Sequence, residues 1–385
     1  MKVLLVQPNY YTQYPPLGLL KLSAYYKRRG HDVRYVKDRV LLAGFRPDRV
    51  EITSLFTWSW QPVWDCVEFY KKLFPKAKVR LGGVYASLMP HHAKKSGADE
   101  VVTGTDEQLD NLVPDYDLIP EWNSNVVFTS RGCIRKCSFC AVPSLEPERT
   151  ARKSFKRLLD PRFNKVIFWD NNFFGTPHWR EILHEVRDLG LSVDFNQGLD
   201  GRLVTDEVAR LLEGIKISPV RMAYDMSHPS IRRAMERSIE RLADIGIRKR
   251  RIFVYVLHNF TDSPNDFFER ARDLLNWGVV AYPMRYEPLD SLAKNKHVAR
   301  LQGWNERRLE MVADARRVIG FGGAFPPYEG LIKKFNAAKG FDEAFELRPK
   351  EGDENETEYP DDEELVSMGR EHEFPSRART LSRAS

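Results

Sequence analysis

Cysteine is scarce in this chain, with four in 385 residues, which excludes a disulfide scaffold. Long apolar runs are missing too. None approaches the roughly 20 residues that a membrane-spanning helix needs, so no membrane association is expected. Met1-Lys-Val-Leu-Leu-Val runs straight into polar residues and does not read as a secretory leader. The expectation is a soluble, cytoplasmic protein. No basic patch interleaved with aromatics stands out, which disfavours nucleic acid as the partner.

The few cysteines that are present are not scattered. Three fall in Ser130-Arg-Gly-Cys-Ile-Arg-Lys-Cys-Ser-Phe-Cys140, leaving Cys66 alone. Structural cysteines usually sit singly in apolar stretches. Cys133, Cys137 and Cys140 instead have Arg131, Arg135 and Lys136 around them, and cationic neighbours favour the thiolate that binds metal. Gly132 permits a tight turn before the first of them. Structural zinc normally takes four ligands, and the nearest histidines, His92 and His178, are far along the chain. An iron–sulfur cluster is the favoured reading, with zinc as its rival. A [4Fe–4S] cluster held by three thiolates keeps one iron open to an outside ligand.

The Cys133-x3-Cys137-x-Phe139-Cys140 run, preceded by the strand Val126-Val-Phe-Thr129, resembles the signature of the radical S-adenosylmethionine enzymes. The resemblance implies a [4Fe–4S] cluster on Cys133, Cys137 and Cys140, with S-adenosylmethionine chelating the open iron. It also implies reductive cleavage of that cofactor to a 5′-deoxyadenosyl radical, an electron donor such as flavodoxin or ferredoxin, and Phe139 beside the adenine.

Formal charge is +6 overall but uneven: residues 351–385 carry 11 acids against 4 Lys/Arg, leaving a net +13 on residues 1–350. A basic surface or an anionic partner would account for it. The expected class is α/β, an N-terminal doubly wound parallel sheet followed by a partial (β/α)6 barrel and a helical C-terminal extension. In residues 1–110, short apolar runs at Val3–Val6, Val33–Val36, Val50–Leu55 and Val79–Leu81 read as buried parallel strands. Helices are predicted over Leu17–Arg29 and Val63–Leu73. Ligands of such sheets sit at strand carboxyl ends, here Gln7-Pro-Asn9, Ser54 and Gly82-Gly83.

This half resembles the cobalamin-binding-like domain that precedes many radical S-adenosylmethionine barrels, through Pro15-Pro-Leu-Gly18, Ser54-Leu55 and Gly82-Gly83. The resemblance implies cobalamin as a further cofactor. The Asp-x-His-x-x-Gly motif that supplies a lower axial ligand is absent, and the matching region reads Asp38-Arg-Val-Leu-Leu-Ala-Gly44. A Rossmann-like domain without cobalamin is the alternative.

Residues 111–125, rich in Pro, Asp and Asn, read as a linker. Six strand–helix units follow over residues 126–290, several closed by glycine (Gly190, Gly214, Gly246, Gly278). Residues 291–350 read as helices interrupted at Gly320–Tyr328, and 351–385 as a disordered tail. In βα barrels the functional groups lie where strands end. The candidates there are Asp170, Asn171 and Asn172 after the second strand, for the cofactor's amino group. Gln197 and Arg202 follow the third, the arginine fork suiting a carboxylate. Asp225 after the fourth would take the ribose hydroxyls, Asn259 after the fifth the adenine, and Tyr286 and Glu287 the substrate mouth. No catalytic residue on the substrate is readable.

With no cysteine beyond Cys140, no C-terminal auxiliary cluster is expected. Lone Cys66 cannot furnish the second cluster that methylthiotransferases need. The expected activity is radical chemistry on a small-molecule or peptide substrate, by hydrogen abstraction or cobalamin-dependent methyl transfer. A redox or electron-transfer protein is the alternative.

Overall fold

Four consecutive buried aliphatic residues, Val3 to Val6, form the body of strand β1 (Lys2–Gln7). In the computed structural model, which describes residues 1–346 except 218 and 321, β1 lies between β2 (Asp32–Lys37) and β3 (Arg49–Ser54). The tail expected to be disordered lies outside the described residues. Strand β4 (Lys78–Gly83) pairs with β3, and the short β5 (Glu100–Val101) extends the edge, all parallel. The order 2-1-3-4-5 reverses between β1 and β3, and that crevice is where doubly wound sheets bind ligands. Helices α1 (Leu17–Lys27) and α2 (Trp60–Leu73) cover the sheet. Val63, Cys66, Val67 and Tyr70 of α2 are fully buried against it.

Residues 111–125 do more than connect. Asp115 accepts from Ser23 of α1 and pairs with Lys27, while the buried Tyr116 hydroxyl accepts the N–H of Val126 at 2.8 Å. The segment therefore fixes the first barrel strand against the N-terminal sheet.

The barrel strands are β6 (Asn125–Val127), β7 (Lys165–Phe168), β8 (Ser192–Phe195), β9 (Val220–Ala223), β10 (Ile252–His258) and β11 (Val280–Arg285). They form two three-stranded parallel sheets, 6-7-8 and 9-10-11. Among the described residues, only the isolated bridges Val193↔Ile217 and Leu199↔Met222 join the two sheets by backbone pairing. Outer helices α3 (Trp179–Asp188), α4 (Asp206–Leu212), α5 (Pro229–Asp244) and α6 (Pro264–Asn276) follow β7 to β10 in turn. Their starts are encoded locally: Thr205 caps α4, and Ser263 with Asp266 forms a capping box on α6.

Past β11, helices α7 (Glu306–Val318), α8 (Glu329–Ala337) and α9 (Phe341–Phe345) pack on the barrel. The glycine-rich break before α8 does more than separate helices. Phe325 exchanges both backbone hydrogen bonds with Ala281, at 2.7 and 3.1 Å, and lies along the outer edge of β11. That pairing satisfies polar groups an open barrel would otherwise expose.

Candidate functional site

The cysteine loop leaves the carboxyl end of β6 and turns at Gly132, whose φ of +71° is the left-handed region. A Cβ there would stand 2.7 Å from the Glu148 carbonyl oxygen, so only glycine fits. Glu146 holds this turn from three directions. It accepts the Gly132 N–H at 2.7 Å, Nη1 of Arg131 at 2.7 Å and Nδ2 of Asn171 at 2.7 Å. Arg131 is gripped on its other side by Asp110, with contacts of 2.6 and 2.8 Å.

Within the loop, the Arg135 N–H donates to Cys133 Sγ at 3.3 Å and the Val142 N–H to Cys140 Sγ at 3.5 Å. Such bonds favour the thiolate. Burial pushes the Cys137 thiol up; Cys140 and Cys133 push the same way, while Arg202 opposes them. Burial likewise raises Cys140, opposed by the Val142 N–H and reinforced by Cys133. The three sulfurs thus sense one another. Among the described residues, however, no three His, Cys, Asp or Glu side chains gather closely enough to hold a single ion.

The polar residues after the barrel strands divide into braces and open groups. Asp170, expected to meet the cofactor, is a brace. It is buried and accepts from the Thr129 N–H at 3.1 Å, the Thr129 hydroxyl at 2.6 Å and the Ser130 hydroxyl at 2.5 Å. Burial raises its pKa despite these donors. Asn171 is committed to Glu146. Asn259 stands at φ +66°, donating to the His297 carbonyl at 3.0 Å and accepting the Ala299 N–H at 2.8 Å. It pins the segment after β11.

Arg202 also departs from expectation. Its fork closes on Asp200 through Nε at 2.7 Å and Nη2 at 2.9 Å. Asp200 also takes Arg135 at 3.0 Å and Asn172 Nδ2 at 3.3 Å. Arg202 therefore contributes positive charge near Cys137 rather than an open fork.

Four side chains remain at least partly open. Asn172 is buried, and its Oδ1 has no partner. It lies by the loop, since a Cβ on Gly175 would meet Ile134 at 3.0 Å and Asn172 Cγ at 3.2 Å. Asp225 accepts the Leu257 N–H at 3.0 Å, and burial lifts its pKa to about 6. It raises the Cys137 and Cys140 thiols, which places it near them. Phe139 meets Phe260 edge-on at 5.8 Å, and Phe260 meets Tyr286 at 4.5 Å. Glu287 accepts the Asn295 N–H at 2.8 Å, but its Oε2 is buried without a partner.

A cavity of about 950 Å³ lies between the carboxyl end of the N-terminal sheet and the barrel. Gln7, Thr53, Ser54 and Gly83 face it from the first, and Trp169, Gln197 and Arg221 from the second. Gln197 is exposed and donates to Asn196 at 3.0 Å. The cavity is closed on one side where Thr57 and Trp60 donate to the Ser291 and Leu292 carbonyls at 2.7 and 3.2 Å.

Sequence reasoning missed the charged side of this cavity. Arg221 on β9 forms a buried ion pair with Asp194 on β8, next to Tyr14 and Tyr255. The available signal was a charge inside each otherwise apolar strand, which is costly unless paired. It likewise missed Glu146 and Asp200.

The N-terminal wall of the cavity offers hydroxyls, amides and aromatic rings but no His, Asp or Glu. The Ser54 hydroxyl donates to the Gly82 carbonyl at 2.7 Å, and a Cβ on Gly83 would reach Ser54 O at 2.1 Å. Here the glycine pair serves close approach of the chain to itself.

Residues 4–113 match the family model of the B12 binding domain. No curated protein matches the chain. Among solved structures, one described as "Coproporphyrinogen III oxidase (HemN) from Escherichia coli is a Radical SAM enzyme" is similar at 12% identity and a TM-score of 0.39. The match covers 55% of this chain and 57% of that one, a little over half of each, and is too distant to carry function. The chain joins a domain that matches the B12 binding domain model to a partial α/β barrel that opens on a three-cysteine loop.

Proposed function

We propose that the chain is a radical S-adenosylmethionine enzyme whose [4Fe–4S] cluster is held by Cys133, Cys137 and Cys140. The carrying observation is the construction of the loop: three coupled thiols, with Glu146, Asn171 and Asp170 all committed to holding the backbone before them. When bound, the cluster supplies the electron that cleaves the sulfonium of S-adenosylmethionine to a 5′-deoxyadenosyl radical. The chain's own residues orient and shield that chemistry. Asn172 Oδ1, an unpartnered buried acceptor, suits the amino group of the methionine moiety. Asp225 suits the ribose hydroxyls, and Phe139 offers an aromatic edge to the adenine. Arg202, held in place by Asp200, supplies positive charge that opposes burial at the Cys137 thiol.

The substrate occupies the cavity between the N-terminal sheet and the barrel, where Trp169, Tyr255 and Tyr14 exclude water. Cobalamin, if held, would sit against the N-terminal wall and supply a methyl carrier. Tyr10, Thr53 and the Ser54–Ser59 segment would contact it. A cavity shaped for a guest is what a pure electron-transfer protein lacks reason to keep.

Anaerobic reconstitution tests the reading. Protein with about four irons and an electron paramagnetic resonance signal altered by S-adenosylmethionine supports it. Colourless protein holding one zinc overturns it. Cobalamin is checked by an absorbance scan after incubation with hydroxocobalamin and gel filtration; a colourless protein peak removes that cofactor alone.

A further inference from the structure

The acids of this chain are concentrated at one end: residues 351–364 hold nine Asp or Glu and no Lys or Arg. The longest unbroken run of cations lies elsewhere, at Arg248-Lys-Arg-Arg251. It forms one tight turn before β10, closed by the Arg251 N–H on the Arg248 carbonyl at 2.8 Å. Arg248 and Arg250 are exposed, and the other two are half-buried. Lys249 pairs with Glu240 at 2.7 Å, while among the described residues Arg250 and Arg251 have no acidic partner.

A line of contacts leads from residue 346 to this turn. Lys334 of α8 donates to the Glu346 carbonyl at 2.7 Å. Asn336, near the end of the same helix, exchanges side-chain hydrogen bonds of 2.9 Å with Asn276 at the end of α6. Gly278 follows two residues later and lies beside Lys249, since a Cβ there would meet Lys249 Cδ at 3.8 Å. The acidic segment starts only five residues past Glu346. An extended chain spans about 3.3–3.6 Å per residue, so residues 351–364 reach Arg250 and Arg251 with length to spare.

We propose that the acidic segment 351–364 docks on the Arg248–Arg251 turn of its own chain. The turn sits at the amino end of β10, opposite the strand ends that carry the cysteine loop, so the docked segment leaves the candidate site open. One exposed ion pair is worth little, but several charges acting together are worth more. Tethering also gives the segment a high effective concentration, which a free polyanion must exceed to displace it. The acids thus serve as built-in counter-ions that keep other polyanions off the turn. Nucleic acid is disfavoured as the resident partner. Phe253, two residues past the turn, and Trp277, beside Gly278, are both buried, leaving no stacking platform.

Carbodiimide cross-linking of the full-length chain, read by peptide mass spectrometry, tests the contact because it joins only amines and carboxylates that already touch. Lys249 should be linked to carboxylates of residues 351–364 at ~50 mM salt and lose those links at ~1 M, where the screening length is about 3 Å. The Lys249–Glu240 link is the internal reference. In a mixture of heavy-isotope and unlabelled protein, the links should stay within one isotope. Arg250→Gln/Arg251→Gln should lower their yield severalfold, whereas Arg250→Lys/Arg251→Lys, which keeps the charge and adds amines, should link at those positions too. Changing the nine acids to their amides should tighten binding of a single-stranded oligonucleotide about tenfold at low salt, and Arg250→Gln/Arg251→Gln should remove that gain. Links from the segment to Lys333 or Lys339 instead of Lys249 overturn the proposal, as does a yield indifferent to both salt and the arginine changes. Mixed-isotope links would mean that the turn holds the segment of a second copy, which also overturns it. An oligonucleotide affinity unmoved by neutralising the acids shows that the turn is not covered, and the proposal fails.

Discussion

Glu146 accepts the backbone N–H of Gly132 at 2.7 Å, one residue before the first cysteine, and so ties the start of the ligand loop to its far end. The same carboxylate holds Arg131 and Asn171. Glu146→Ala removes all three bonds and leaves a buried backbone donor. The expected cost is about 2–3 kcal/mol, the range for hydrogen bonds to charged groups, read as a lower midpoint in denaturant. Iron retained after reconstitution should fall by more than half. Full iron content with unchanged stability would show that the loop needs no such brace.

Gly132→Ala probes the same turn from the backbone side. The residue adopts φ +71°, and its Cβ would lie 2.7 Å from Glu148 O. Strain of about 1 kcal/mol or more follows from the left-handed conformation alone, and the clash adds to it. Thermal unfolding of the apo protein should shift downward. An unchanged unfolding temperature would contradict the assigned turn.

Asn172→Leu removes a buried acceptor near the loop that lacks a partner, together with the 3.3 Å bond from Nδ2 to Asp200. Apo stability should fall by no more than the roughly 1 kcal/mol of one hydrogen bond. Affinity of reconstituted protein for S-adenosylmethionine should weaken about tenfold, the worth of one hydrogen bond to a charged group. Equilibrium dialysis reads this directly, and unaltered affinity would free Asn172 from the cofactor.

His258, at the end of β10, is buried against Phe267 and Trp304, and its Nδ1 has no partner. Burial, reinforced by Arg316, Arg285 and Arg270, depresses its pKa to about 3. Between pH 6.5 and 3 the unfolded chain therefore binds a proton that the folded chain does not. This contribution to stability is full above pH 6.5 and is lost as pH falls, by up to about 1.4 kcal/mol per unit. His258→Phe should flatten that decline in stability measured from pH 7 to pH 4. An unaltered acid slope would mean that His258 protonates within the fold.

The sequence made the strands legible because buried parallel strands are short aliphatic runs, as at Val3–Val6 and Ile252–Leu257. The cysteine loop stood out through its spacing together with the strand before it and the barrel units after it. What escaped was which polar residues face inward to the chain and which face a guest. Asp170, Asn172 and Asn259 are indistinguishable as loop residues, yet two have every polar side-chain atom engaged by backbone or hydroxyl partners, while Asn172 leaves Oδ1 without one. Those partners, Thr129, Ser130 and the 297–299 backbone, lie about 40 residues away in sequence. Arg202 looked like an open fork because Asp200, two residues earlier, gives no periodic signal. The edge pairing of Phe325 with Ala281 depends on where the chain returns in space, which local pattern does not encode.

The most direct measurement is 5′-deoxyadenosine formed from S-adenosylmethionine by anaerobically reconstituted, reduced protein, with Cys133→Ala, Cys137→Ala and Cys140→Ala alongside. The wild type should form it, and each substitution should abolish it. Cleavage that survives loss of Cys137, or a wild type that never cleaves while holding a full complement of iron, would contradict the account.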